Sequence, residues 1–370
     1  MQASNGSAGY DVGAIMGGLY GDGIIARKGA FSAEWVAQLK DDIETLFAPA
    51  THAAAIGLAV SGGPDSLALM LLAARWAAAG RARPRLIVYS VDHGLRVEAG
   101  EEVAMVLAEA ARLGLQARGL RWDGVKPETG MQAAARKARY RLLAAAMAED
   151  GAELLLTAHH LGDQAETVLM RLAHGSGIEG LRGMDRLATV EGCRVFRPLL
   201  AVDPEYLGEI VAEAGLKPAR DPSNVDRHYE RVRWRQAMPL LEELGLDRRR
   251  LGDFAQRMAD ADAVIGERAE TAFAALVHMG PDGDAELPHA GLTGLNRAVA
   301  VRLLTRVLRV VGGDRKPHAL GAVEHLYARL GERLPIKPAT LHGCLVSSDG
   351  FTISVRREGA RSPAAVLTAG

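Results

Sequence analysis

The chain has 370 residues, with 44 basic and 45 acidic side chains, a net charge of −1, 48% hydrophobic residues and two cysteines. A composition this close to the globular average excludes a disordered or fibrous chain, and the length asks for two domains. Its longest uncharged apolar stretch, Leu67 to Ala74, is far short of the roughly 20 residues of a membrane span, and no basic segment leads into an apolar run at the N-terminus. Cys193 and Cys344 fit neither a disulfide framework nor a metal spacing. The expectation is a two-domain chain of the cytoplasm with no membrane partner.

Residues 1–30 are Gly-rich and unpatterned. Gly17, Gly18, Gly21 and Gly23 follow no apolar strand, which argues against a dinucleotide fingerprint. Ser32 is placed to cap a helix in which Trp35, Val36, Leu39, Ile43 and Leu46 recur at helical spacing up to Pro49. An apolar run at 55–60 then leads into an apolar helix, Leu67 to Ala79. Next come a strand at 85–91, a charged helix from Glu98 to Arg112 and a run from about Gln116 to Trp122. An Ala-rich helix from Met131 to Ala148, a strand at 154–158 and a helix from about Asp163 to Leu172 follow. This alternation predicts an α/β fold: a parallel sheet with helices on both faces. Residues 217–226 are rich in turn formers. Beyond them the pattern predicts helix to about residue 330, then a β-hairpin of 340–346 and 351–357 across Ser347-Ser348-Asp349-Gly350. The predicted divisions are 1–50 (extension and helix), 51–238 (α/β domain) and 239–370 (smaller, mostly helical, ending in β).

The motif Ser61-Gly62-Gly63-Pro64-Asp65-Ser66 lies between the first strand and its helix. Such a turn presents backbone N–H groups and a positive dipole end to an anion. Gly62 and Gly63 allow close approach of phosphate, and Ser61 and Ser66 add hydroxyl donors. Asp65 makes sense in a phosphate site if Mg²⁺ accompanies the phosphates. The chain has no G-x-x-x-x-G-K-S/T, so this is not a Walker loop. An ordinary Gly-Pro turn is the plain alternative; the strand before and the helix after favour phosphate.

S-G-G-x-D-S resembles the pyrophosphate loop of ATP-pyrophosphatases, which split ATP into an adenylated substrate and pyrophosphate. Further motifs follow: Ser90 to Arg96, Ala134 to Tyr140, Thr157 to Thr167, Arg171 with Gly175-Ser176-Gly177, Arg197-Pro198-Leu199-Leu200 and Asp221-Pro222-Ser223-Asn224. In this order and spacing, over roughly residues 55–240, they resemble the tRNA(Ile)-lysidine synthetase family. The resemblance implies a two-step reaction on cytidine 34 of a tRNA(Ile) with a CAU anticodon. ATP adenylates the C2 oxygen, releasing pyrophosphate; the amine of free L-lysine then displaces AMP. The product, lysidine, pairs with A instead of G, so AUA is read in place of AUG. ATP, Mg²⁺, tRNA(Ile) and L-lysine are thereby implied, and a homodimer is left open. The resemblance places Asp65, Arg139, His159, Asp163 and Glu166 in catalysis and Ser61, Gly62, Gly63, Pro64, Asp65, Ser66 and His93 in ATP binding, with Asp65 toward Mg²⁺.

The residues can be read beside it. Asp163 and Glu166, three apart at a helix start, share a face and suit a lysine ammonium or a proton released on attack; alternatively they only favour the helix dipole. His159, His160 and Asp163 hint at a metal, but no third distant ligand is evident, and His159 is expected to contact phosphate or the adenylated base. Arg139 shares a face with Arg136; spacing alone makes it a surface arginine, and the resemblance gives it the α-phosphate charge. Three positions depart from the family pattern: Gly162 where Asp is common, Arg220 where an acid is usual, and Val232 where Asn is frequent. Sulfur transfer, the rival chemistry on this loop, needs reactive cysteines that the two isolated ones do not supply. A silent tRNA- or nucleotide-binding relative would be free to lose part of the polar set, which is complete here. Two basic segments remain, Arg297 to Lys337 and Arg248-Arg249-Arg250, each a solvated helix face or an RNA contact.

Overall fold

The computed structural model describes residues 43–80, 83–96, 98–124, 126–219, 226–313, 320–332 and 336–359. In the first part of the chain, β1 (Ala55–Ala59), α1 (Pro64–Ala79), β2 (Arg85–Asp92), α2 (Ala99–Arg112), β3 (Gln116–Arg121), α3 (Met131–Asp150), β4 (Leu154–Leu156) and α4 (Leu161–Ala173) alternate as expected. The short α5 (Ile178–Leu181), β5 (Leu187–Val190), β6 (Cys193–Phe196), α6 (Pro204–Glu213) and α7 (Glu230–Glu243) follow. The six strands form one sheet in the order β3-β2-β1-β4-β6-β5, parallel except for β5 on β6.

Successive side chains of a strand face opposite sides, so the apolar strands feed two cores. Leu58, Val88 and Leu156 face a layer holding Leu67, Met70, Trp76 and Leu207. Ile87, Tyr89, Leu155 and Val195 face Tyr140, Leu143 and Met147 of α3. Residues 43–47 are helical, and Phe47 stacks on Trp76 with ring centroids 5.1 Å apart. The remainder of the predicted N-terminal helix (Ser32, Trp35, Val36, Leu39) lies outside the described residues.

The chain runs from β1 outward through β2 to β3, then returns to place β4 on the other side of β1. At this switch the connections after β1 and β4 leave in opposite directions and open a crevice at the carboxyl ends of the two strands. The Ser61–Ser66 and His159–Glu166 segments emerge there.

The hairpin β5–β6 was not predicted. Glu191 (φ 48°) and Gly192 (φ 82°) make its two-residue turn with both residues left-handed. β5 is half-exposed and β6 is only four residues long, so neither carries enough apolar signal to announce itself.

By contacts the chain divides into two units, one of residues up to 170 with 183–255, the other of 171–182 with residues from 256 onward. The first also contains a small core of Ala165, Val168, Leu169, Met238 and Leu251. In the second, β7 (His278–Met279) and β8 (Ala285–Pro288) follow α8 (Arg248–Leu276); then come α9 (His289–Thr293), α10 (Arg297–Gly312), α11 (Leu320–Gly331), β9 (Ile336–Leu341), β10 (Cys344–Ser348) and β11 (Thr352–Arg357). The strands form a five-stranded sheet, β7-β8-β11-β10-β9, packed on Leu303, Leu304, Val307 and Leu308 of α10.

Two expectations are corrected here. The stretch to residue 330 is not all helical, because β8 is made a strand by pairing with the distant β11. Residues 340–346 are not one strand: His342 (φ 56°) and Gly343 (φ 71°) turn β9 into β10. The β10–β11 hairpin forms as expected, but its turn is 349–351, and Ser347 and Ser348 belong to β10. Among the described residues no helix is long and apolar enough to cross a membrane.

Candidate active site

The loop after β1 is fixed from both ends. Val60 donates to the Tyr89 carbonyl at 2.9 Å, which carries β1 one residue further. Ser66 Oγ accepts the Ser61 N–H at 3.1 Å and donates to the Gly63 carbonyl at 2.9 Å. Gly62 is left-handed (φ 85°), and a Cβ there would lie 3.1 Å from Met105 Cε, so a side chain is disfavoured on both counts. Pro64 opens α1, and no side chain among the described residues caps the preceding Gly63. The first-turn N–H groups of α1 therefore face the crevice mouth as an anion cradle, with Ser61 exposed beside it.

The second wall comes from β4. His159 Nδ1 is 2.9 Å from Thr157 Oγ1. Burial lowers the pKa of His159 to about 4 against the pull of Asp163, and the charges of Arg197, Arg231 and Arg139 add to the lowering. Its imidazole is neutral at physiological pH. His160 is buried, with Nε2 3.5 Å from carboxylate oxygens of both Asp65 and Asp163. Burial disfavours its charged form, but the Asp65 contact and the Asp163 and Glu166 charges outweigh this and raise its pKa. Asp163 also accepts the His160 N–H at 3.1 Å. Burial pushes its carboxyl upward, and the charges of His160, His159 and Arg231 bring it below the usual range. The structure thus joins Asp65 of the loop to Asp163 of α4.

Glu166 is 3% exposed and does not stand free. Arg235 Nε donates to Oε1 at 2.7 Å, and Arg231 Nε lies 3.2 Å from Oε2. Arg231 also reaches Thr167 Oγ1 at 3.1 Å and lies 4.0 Å from Asp163. Arg136 and Arg139 both approach the ring of Tyr140, and burial lowers the pKa of Arg139. His93 lies just past the end of β2, edge-on to Trp122 with centroids 6.4 Å apart.

The family model of the PP-loop domain matches residues 36–241. Over 317 residues the chain is 45% identical to the tRNA(Ile)-lysidine synthase of Rhodopseudomonas palustris, covering 82% of this chain and 91% of that one. Over 342 residues it is 41% identical to the tRNA(Ile)-lysidine synthase of Bradyrhizobium diazoefficiens, covering 86% and 94%. The chain belongs to the tRNA(Ile)-lysidine synthase family. Among solved structures, the U34-tRNA thiolase NcsA from Methanococcus maripaludis superposes with a TM-score of 0.53 at 16% identity, over 62% of this chain and 82% of that one, which shows a common fold. A PP-loop domain makes this lysidine-synthase family member an ATP-using protein.

Sequence reading missed Arg231 and Arg235, and named His160 and the buried Arg197 only within motifs, without a role of their own; Arg197 Nη1 donates to the Asp185 carbonyl at 2.6 Å. A helical arginine gives no local sign that it will meet a carboxylate 69 residues away. Two departures from the family pattern gain a context. Val232 is a buried apolar residue of α7, and Gly162 packs under His160. Arg220 and Asp221 to Asn224 lie outside the described residues.

In the second unit the expected basic face is neutralised in part among the described residues. Arg302 meets Asp262 and Glu179, Arg306 meets Glu270 at 2.8 Å, and Arg297 meets Glu324 at 2.7 Å. Arg309 is exposed, and Asp314, Arg315, Lys316 and Arg333 lie outside the described residues. In the first unit Arg248 lies 3.6 Å from Glu242.

Proposed function

We propose that this protein is a ligase that joins free L-lysine to C2 of cytidine 34 in the CAU anticodon of tRNA(Ile), in the cytoplasm. The observation that carries the reading is the meeting of Asp65, His160 and Asp163 at the switch between β1 and β4, in a member of the lysidine-synthase family. In the first step the C2 oxygen attacks the α-phosphorus of ATP. The bond from that phosphorus to the bridging oxygen breaks, and pyrophosphate leaves toward Ser61, Gly62, Gly63, Pro64 and Ser66 at the start of α1. Arg139 offsets charge at the α-phosphate, while His93 lines the nucleotide side and neutral His159 meets the phosphate or the adenylated base. In the second step the lysine amine attacks C2 and AMP leaves. Asp163 and Glu166 handle this amine, one holding the ammonium and one taking the proton released on attack, with Arg231 as their counter-ion before substrate arrives.

Asp65 suits Mg²⁺ brought by ATP: it is a partly exposed carboxylate at the phosphate loop, and Mg²⁺ commonly takes one or two carboxylates with phosphate and water. Among the described residues no cluster of three His, Cys, Asp or Glu forms a separate metal cage. Bound there, the ion would supply charge neutralisation for the leaving pyrophosphate. We assign the adenylating chemistry to residues 51–238 and help in tRNA selection to 239–370.

Labelled lysine, ATP, Mg²⁺ and a CAU-anticodon tRNA(Ile) transcript test the proposal. Label is expected on the tRNA, with AMP formed alongside, and is expected to vanish when cytidine 34 becomes uridine. AMP formed without label would keep the adenylation and refute lysine as the nucleophile. Bound tRNA with neither product would favour a silent tRNA-binding relative.

A further inference from the structure

Asp65 and Asp163 stand in the first turns of two different helices, yet each turns a carboxylate oxygen toward one atom, Nε2 of His160. The other ring nitrogen is already engaged: Nδ1 accepts the Gly162 N–H at 3.0 Å, and the Asp163 N–H lies 3.4 Å away. A nitrogen that accepts from the backbone carries no proton, so the neutral ring holds its proton on Nε2, facing the two carboxylates. The backbone thus chooses the tautomer.

The ring has this place because residue 162 is glycine. A Cβ there would lie 2.9 Å from Cε1 and 3.1 Å from Nδ1 of His160, with Pro204 at 3.6 Å behind it. The His160 ring is 7% exposed and is tied by the same Gly162 amide, so it has little room to withdraw.

We propose that His160 is a positioning residue whose Nε2–H holds the carboxylates of Asp65 and Asp163 at one spacing, and that Gly162 leaves its ring the room to do so in this chain. This rests on the roles proposed above for Asp65 and Asp163. Without the donor, the two like charges lose the one proton that faces both, and each is free to leave its working position. A displacement near 1 Å at a reacting centre costs about 100-fold in rate. Because one proton serves both carboxylates, its loss disturbs adenylation and lysine transfer together.

The test uses the full chain and three variants. In His160→Asn the amide nitrogen ends where Nδ1 stood, out of reach of the carboxylates; in His160→Gln it ends near the place of Nε2. Gly162→Ala alters neither carboxylate nor the imidazole, and alanine suits a helix better than glycine. With AMP formation and lysine incorporation as readouts, H160N and G162A are expected to lower kcat for both by about 10–100-fold. H160Q is expected to recover most of that loss, and all three to melt near the wild-type temperature. Wild-type kcat and KM values for ATP and lysine in H160N, or in G162A, would overturn the proposal. So would an H160Q as slow as H160N, since a donor restored near the place of Nε2 would then do nothing for the carboxylates. A wild-type chain that never labels tRNA would overturn the functional reading, and this proposal with it. Loss in the variants alone leaves that reading standing.

Discussion

Glu166 and Asp262 are both 3% exposed, and each is held by two arginines: Arg231 and Arg235 on the first, Arg182 and Arg302 on the second. The first pair of arginines stands on one helix, α7, and Arg231 continues on to Asp163, which meets His160 and through it Asp65. Around Asp262, Arg302 also meets Glu179, an ion pair within the second unit. A buried carboxylate needs cationic partners wherever it is, because an unpaired charge in the interior is costly. The arginines therefore do not identify a site. The phosphate loop beside one of the two carboxylates does.

The largest effect is expected from Asp163→Asn: lysine incorporation should fall by about 10²–10⁴-fold, the range for a lost acid–base group. Incorporation within a few-fold of wild type would remove Asp163 from the chemistry. Next are Glu166→Gln and Asp262→Asn, each of which leaves arginines beside a neutral amide. Removing one partner of a buried pair costs about 3–5 kcal/mol, and the half-exposed Arg231 and Arg235 bring Glu166→Gln toward or below the low end. Denaturant unfolding measures that loss. At a temperature where both are folded, D262N should make AMP at the wild-type rate while E166Q loses lysine incorporation. Equal losses of activity would erase the distinction between the two clusters.

A smaller effect concerns pH. The folded pKa of His159, about 4, lies below its unfolded value near 6.5, so between these limits the unfolded chain binds more protons. Stability is full above about pH 6.5 and falls as pH drops toward 4, by at most about 3 kcal/mol. Asp163, also depressed, contributes stability that is lost at still lower pH. Unfolding followed from pH 7 to 4.5 should show the His159 slope, and His159→Gln should flatten it; an unchanged slope in the variant would place the titration elsewhere. The smallest effect is expected in the second unit, where reversal of the exposed Arg309 to Glu should weaken tRNA binding and reduce the logarithmic salt slope by about one. An unaltered slope would leave Arg309 as solvated surface.

The alternation of strands and helices and the phosphate loop were legible because their signals are local. Ser61 to Ser66 has to sit where an apolar strand ends and a helix begins, and both neighbours are visible within twenty residues. Asp163 and Glu166 were placed on one face by helical spacing alone. The partners were not legible. His160 looked like a neighbour of His159; its separate role depends on a ring orientation set by the Gly162 amide. Likewise, β8 carries little strand pattern and becomes a strand by pairing with β11.

Periodicity, turn chemistry and motif spacing act over a few residues, so the set of reactive groups and the order of elements that carries them can be read along the chain. Tertiary structure alone decided which charge meets which. Sheet order brought the loop after β1 beside the loop after β4, α7 delivered two arginines to a carboxylate of the distant α4, and a missing Cβ at Gly162 seated the ring between two acids. Such meetings depend on burial and on distances of a few ångströms, and neither is written in the spacing of residues along a chain.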